Sequence, residues 1–177
     1  MSGSLRQNRR CSTFVDHREE RISLPSSVGC DADDMAATDN GVSEIDGRWV
    51  FPIAGGEVTQ VLVDFALGLR IETYEEPKAN TLVRINTPFA YETDGTTTKI
   101  DPEVTPQLAP LITLHKATVK SGSTSRDGHL SIEFTDGRAV HVAPHHQYEA
   151  WEVSGHLFPI EREFRLIALP GASVALF

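Results

Sequence analysis

Cysteine is nearly absent from this 177-residue chain: Cys11 and Cys30 are the only two, and both fall early. Two thiols cannot staple a chain of this length, and neither belongs to a Cys-x-x-Cys pair, so a reducing, cytoplasmic setting is the expectation. Long apolar runs are missing as well; none approaches the roughly 18 residues of a membrane-spanning helix. The opening stretch from Met1 to Arg10 lacks the apolar centre that a secretory signal needs. Cations are scarce, with 16 Lys and Arg against 25 Asp and Glu, a net charge of −9. That balance repels nucleic-acid phosphates and anionic membrane surfaces, and it leaves a basic protein or a small ligand as the expected partner. A phosphate-cradling loop is also lacking, because Gly55-Gly56 and the stretch from Gly122 to Gly128 carry neither the lysine nor the helix it requires. No cofactor is expected.

What is present divides the chain in two. Residues 1–46 hold isolated apolar side chains such as Leu5, Phe14, Ile22 and Leu24, with acids gathered at Asp31, Asp33, Asp34 and Asp39. No period survives there, and folding would bury too little to offset the ordering entropy, so a disordered tail is expected. Met35 offers an alternative start that would remove most of it. Residues 47–177 read as a single β-rich domain. Val61, Val63, Phe65, Leu67, Leu69 and Ile71 share one parity, which predicts a long strand bent at Gly68. Asp94-Gly95 turns the chain, and Thr105-Pro106 opens a short helix near 106–114 that Pro110 weakens. The segment from Tyr148 to Val153 reads as either a short helix or a strand, and a second short helix near 146–152 is the expectation. The fold class expected is α+β: a curved, mainly antiparallel sheet of about seven to nine strands with one or two short helices.

The densest chemistry lies between Asp127 and Glu152. Leu130, Ile132 and Phe134 alternate on one strand, Val140 and Val142 on the next, around Thr135-Asp136-Gly137. A two-residue loop would set apolar residues against polar ones. A three-residue loop pairs Ile132 with Val140 and Leu130 with Val142, and burial selects it, with Gly137 in the left-handed position. The other face then carries Ser131 opposite His141, beside Glu133. These are the residue types of a Ser-His-acid site, but a serine in mid-strand lacks the strained elbow or helix N-terminus that supplies an oxyanion hole. His141, His145 and His146, with Glu149 near, supply nitrogen and oxygen donors of the kind zinc takes, at a spacing that matches no standard site. Tyr148, Glu149, Trp151 and Glu152 form an aromatic–acid cluster. It suits a contact surface for a basic partner, and equally two aromatic anchors of a short helix packed on the sheet.

The order Trp49, Gly55-Gly56-Glu57-Val58, Asp64-Phe65, then Asp127-Gly128-His129-Leu130, Asp136-Gly137, Tyr148-Glu149-Ala150-Trp151-Glu152 and Pro170-Gly171 resembles a family of small actinobacterial proteins described as a domain of unknown function. The resemblance covers 49–177 and implies no activity or catalytic residue. In size, acidity and β-rich build the chain is also similar to immunity proteins that neutralise a bacterial toxin by binding it. The expected function is a non-enzymatic binding protein, immunity-like, acting through Tyr148, Glu149, Trp151 and Glu152. The alternative is a metal-dependent enzyme or small-molecule binder using His141, His145 and Glu149.

Overall fold

The computed structural model describes residues 36–37 (backbone alone), 41–76 and 78–177. Strands come first in short pairs: β1 (Ala36–Ala37), β2 (Ser43–Ile45) and β3 (Arg48–Val50). Next come β4 (Glu57–Val63), β5 (Leu67–Thr73), β6 (Lys78–Ile85), β7 (Phe89–Thr93) and β8 (Thr96–Ile100). A 3-10 helix spans Thr105–Leu114. Then follow β9 (Val119–Ser125), β10 (Leu130–Phe134), β11 (Ala139–Val142), β12 (Trp151–Phe158), β13 (Arg162–Leu169) and β14 (Ser173–Leu176). No helix among the described residues is long and apolar enough to cross a membrane.

These strands form two antiparallel sheets, one of eight in the order β1-β2-β3-β9-β10-β11-β7-β8, one of six in the order β14-β13-β12-β6-β5-β4. They share one core. Leu130, Ile132, Val140, Val142, Phe89 and Tyr91 from the larger sheet and Leu69, Ile71, Val83, Ile85, Val153 and Leu166 from the smaller belong to a single buried cluster. The expected α+β fold with one curved sheet of seven to nine strands is therefore corrected to an all-β, two-sheet architecture.

Three local causes account for the difference. The long strand expected over 61–71 is a hairpin, β4 to β5, turning at Asp64-Phe65-Ala66 with Val63 opposite Leu67 and Val61 opposite Leu69. Asp64 closes it by accepting the Ala66 amide at 2.8 Å, and the bend falls there rather than at Gly68. The helix near 106–114 exists but winds with three residues per turn: Leu108, Leu111 and Leu114 are buried while Ile112 is exposed. Pro110, inside the helix, lacks the amide hydrogen an α-helix would use, whereas Pro106 sits in the first turn where none is needed. The helix expected near 146–152 is absent; residues 144–150 are irregular, and Trp151 and Glu152 begin β12.

The Asp-Gly pairs set the hairpins. Asp46-Gly47 and Asp94-Gly95 both have positive φ, which a two-residue turn between Ile45 and Arg48, or Thr93 and Thr96, requires. Strand pairing thus begins before residue 47, with Val42 fully buried. The rest of the expected disordered tail lies outside the described residues. At Asp136-Gly137 the three-residue loop is found, with Ile132 opposite Val140, Leu130 opposite Val142 and Gly137 at φ +88°.

Candidate functional site

The alternation that buries Leu130, Ile132 and Phe134 turns Ser131 and Glu133 to the opposite face of the eight-stranded sheet. Register carries this across the strands. Ser123 of β9 lies opposite Ser131 of β10, Ser131 opposite His141 of β11, His141 opposite Ala90 of β7, and Ala90 opposite Lys99 of β8. A parallel row runs through Ser121, Glu133, Ala139, Glu92 and Thr97. The central positions are mostly small, Ser or Ala, so larger residues at the edges stand above them. The result is a groove of about 840 Å³ with Arg48 of β3 on one side and Lys99 and Thr97 on the other. That volume falls in the range of small-molecule sites.

The polar groups of the groove are largely tied to each other. Ser131 Oγ and His141 Nδ1 are 3.1 Å apart. His141 Nε2 lies 3.8 Å from Glu92 Oε2, which is charge proximity and too long for a hydrogen bond. Lys120 Nζ donates to Glu133 Oε2 at 2.9 Å, and this bond holds the Glu133 carboxyl below its ordinary range, with the His141 charge adding to the effect. Arg48 donates from Nε and Nη2 to Ser123 Oγ at 3.2 and 3.0 Å. Among the described residues no carboxylate makes an ion pair with Arg48 or Lys99. Four other arginines do pair: Arg84 with Asp64, Arg126 with Glu44, Arg138 with Asp136 and Arg165 with Glu152.

Chemically the groove offers hydrogen-bonding side chains. Ser131 and His141 are in contact, as the register expected, but Ser131 sits in mid-strand with both neighbouring strands paired to it. Among the described residues no helix N-terminus lines the groove to supply free amides for an oxyanion. Hydroxyl, imidazole, guanidinium and ammonium groups facing one groove are well suited to hydrogen-bonding a polar ligand.

The residues singled out in the sequence are dispersed. Trp151 is fully buried, and its Nε1 donates to the Gly128 carbonyl at 2.8 Å. Glu152, next along β12, points the other way and accepts from Arg165 Nε and Nη2 at 2.8 and 3.0 Å. Tyr148 is 63 % exposed and stacks on His145, ring centroids 5.1 Å apart. Glu149 is exposed beside it, its carbonyl accepting from Asn86 Nδ2. Tyr148 and Glu149 thus form one small surface that Trp151 and Glu152 do not join. Of the three histidines, His141 faces the groove, His145 packs on Tyr148, and His146 is exposed. Among the described residues no group of three or more His, Cys, Asp or Glu side chains is placed to hold a metal ion. Arg48, Lys99, Ser121 and Ser123 were missed from sequence. A signal existed for the serines: Ser121, Ser123 and Ser125 alternate along β9, which marks a polar strand face.

Residues 49–177 match the model of a family described as "Family of unknown function (DUF6188)", a span that begins one residue after Arg48 and takes in the rest of the groove. No curated protein and no solved structure matches the chain.

Proposed function

The chain belongs to the DUF6188 family of unknown function, and from that premise we propose that it is a non-enzymatic binding protein whose ligand is a small polar molecule held in the groove of the eight-stranded sheet. The groove of about 840 Å³ across Ser123, Ser131 and His141 carries the reading. An outward sheet face in an antiparallel fold is ordinarily a convex or flat solvated surface. Here short side chains at the centre and long ones at the edges leave an open volume with hydrogen-bonding side chains around it. The His141 part of the metal-dependent alternative survives as a ligand contact, without the metal. The proposal keeps the cytoplasmic setting suggested by two cysteines in 177 residues.

The test is a small-molecule screen by amide chemical shift on the 19.4 kDa chain, repeated on Ser131→Phe, which fills the groove from an outward position. Hits should shift Ser123, Ser131 and His141 together and lose affinity in the variant. Hits that cluster elsewhere, or that ignore Ser131→Phe, would refute the proposal.

A second reading is favoured by one observation, the exposed Tyr148–His145 stack beside exposed Glu149. An exposed aromatic next to an acid on a chain of net charge −9 suits a basic protein partner. The immunity-like role and the likeness to actinobacterial proteins belong to this reading. A toxin-like partner would be captured by the wild type and lost with Tyr148→Ala; retention by that variant would remove this surface from consideration.

A further inference from the structure

Resting on the binding reading above, we infer that the groove takes an elongated ligand with an anionic group, carboxylate or phosphate, at each end: one end held by Arg48 with Ser123, the other by Lys99. The chain as a whole is acidic, but the groove is not. Its lining Lys, Arg, Asp and Glu residues are Arg48, Lys99 and Glu133, and Glu133 is already bound to Lys120 at 2.9 Å; the lining histidines His129 and His141 each lie beside a carboxylate, Asp127 and Glu92. What remains is cationic at both ends.

The Arg48 end is arranged as an anion fork. Ser123 Oγ accepts from both Nε and Nη2 of Arg48, so the hydroxyl's own proton is available to donate outward beside the remaining guanidinium N–H groups. The guanidinium is thereby fixed in direction by a neutral partner and meets no carboxylate among the described residues, unlike Arg84, Arg126, Arg138 and Arg165, which pair with acids. Lys99 stands exposed on β8 without an ion pair among the described residues.

Separation decides that two anions are needed. Between β3 and β8 lie β9, β10, β11 and β7. Five strand steps of about 4.8 Å put the two backbone positions roughly 24 Å apart along the sheet. A single carboxylate or phosphate cannot reach both cations even with the long side chains leaning inward. The middle of the groove sets the middle of the ligand: Ser131 and His141 stand there with hydrogen-bonding groups, and the Glu133 carboxylate is held by Lys120. The ligand is therefore polar between its charged ends.

The experiment is calorimetric titration of the full chain at low salt with linear α,ω-dicarboxylates of increasing length, the matching α,ω-bisphosphates, and the corresponding monoacids. Affinity should peak at one length. Arg48→Gln, which keeps a donor for Ser123, and Lys99→Gln should each weaken that ligand at least tenfold while leaving the thermal midpoint unchanged. A preference for one series identifies the end group, and either preference supports the inference. Affinity independent of length, or unchanged in both variants, overturns it. If neutral compounds shift the Ser123, Ser131 and His141 amides while no dianion binds, the inference falls and the binding reading stands. If nothing of any charge shifts them, both fall.

Discussion

Replacing Trp151 by Phe tests the division of the 148–152 segment into core and surface. Trp151 is fully buried, and its indole N–H is bonded to the Gly128 carbonyl, the turn residue between β9 and β10. The bond ties the first residue of β12, in the six-stranded sheet, to the hairpin that carries His129 and Ser131 in the other. Phenylalanine leaves that carbonyl buried without its donor, at a cost of about 1–3 kcal/mol. The smaller ring adds a cavity penalty of order 1 kcal/mol. Against a total stability of about 5–15 kcal/mol the loss is large. It should lower the thermal midpoint by roughly 2–4 °C per kcal/mol for a domain of this size. Urea denaturation should show a reduced midpoint at constant slope. Tyr148→Ala, three residues away at 63 % exposure, should change stability by no more than about 0.5 kcal/mol. Equal losses in the two variants would refute the reasoning, since they would mean that Tyr148 is packed or that Trp151 is not.

Thr81 offers the opposite sign. Its Oγ1 is buried without a hydrogen-bond partner, so Thr81→Val should be neutral or stabilising, by up to about 1 kcal/mol in urea titration; a clear loss would show an unrecognised partner. In acid, the Lys120–Glu133 pair sets a pH dependence. The Glu133 carboxyl is held below its ordinary value of 4.5, chiefly by the Lys120 hydrogen bond. Its stabilising contribution is thus full above that value and lost as pH falls through the lower folded one. The pair is exposed and worth at most about 1 kcal/mol, so Lys120→Met should lie slightly below wild type in thermal midpoint at pH 7 and converge with it in acid. A gap constant down to pH 3 would contradict the assignment. Neutralising Glu75 and Glu76, in the β5–β6 turn of the other sheet, should leave dianion affinity within about twofold at physiological salt, where screening acts within about 8 Å. A tenfold change in titration would show that long-range field, not local placement, governs the groove.

Local pattern was legible where burial is one-sided. Leu130, Ile132, Phe134, Val140 and Val142 permit one register in which all five reach the core, and that register is the one observed. The same logic failed over 61–71 because a three-residue turn preserves parity: Val63 and Leu67 face each other, so the apolar alternation continues through the bend as if the strand did. Phe65 at the tip is 88 % exposed and fits the alternation by coincidence. Asp64 was the available clue, an acceptor two residues before the amide it caps. The helix period failed for a related reason. Interior Pro110 is incompatible with α-helical bonding there, and the three-residue period buries Leu114 while leaving Ile112 and Val104, both on the 3.6-residue face, exposed.

The groove was not legible, because its two cationic ends lie far apart in sequence and meet only through sheet order. Arg48 reaches Ser123 across 75 positions, and Lys99 arrives on the far edge through β7, which no local pattern pairs with β11. Composition speaks to a different scale. The net charge of −9 behind the expected basic partner is a sum over the whole chain, whereas a bound group responds to charges within a screening length of it. The acids near the other arginines are spent in ion pairs, and the carboxylate in the groove is bound to Lys120. Among the described residues the cations at its ends pair with no carboxylate. An acidic chain can therefore carry a face whose local charge differs from its total, because strand order rather than composition decides which side chains share that face.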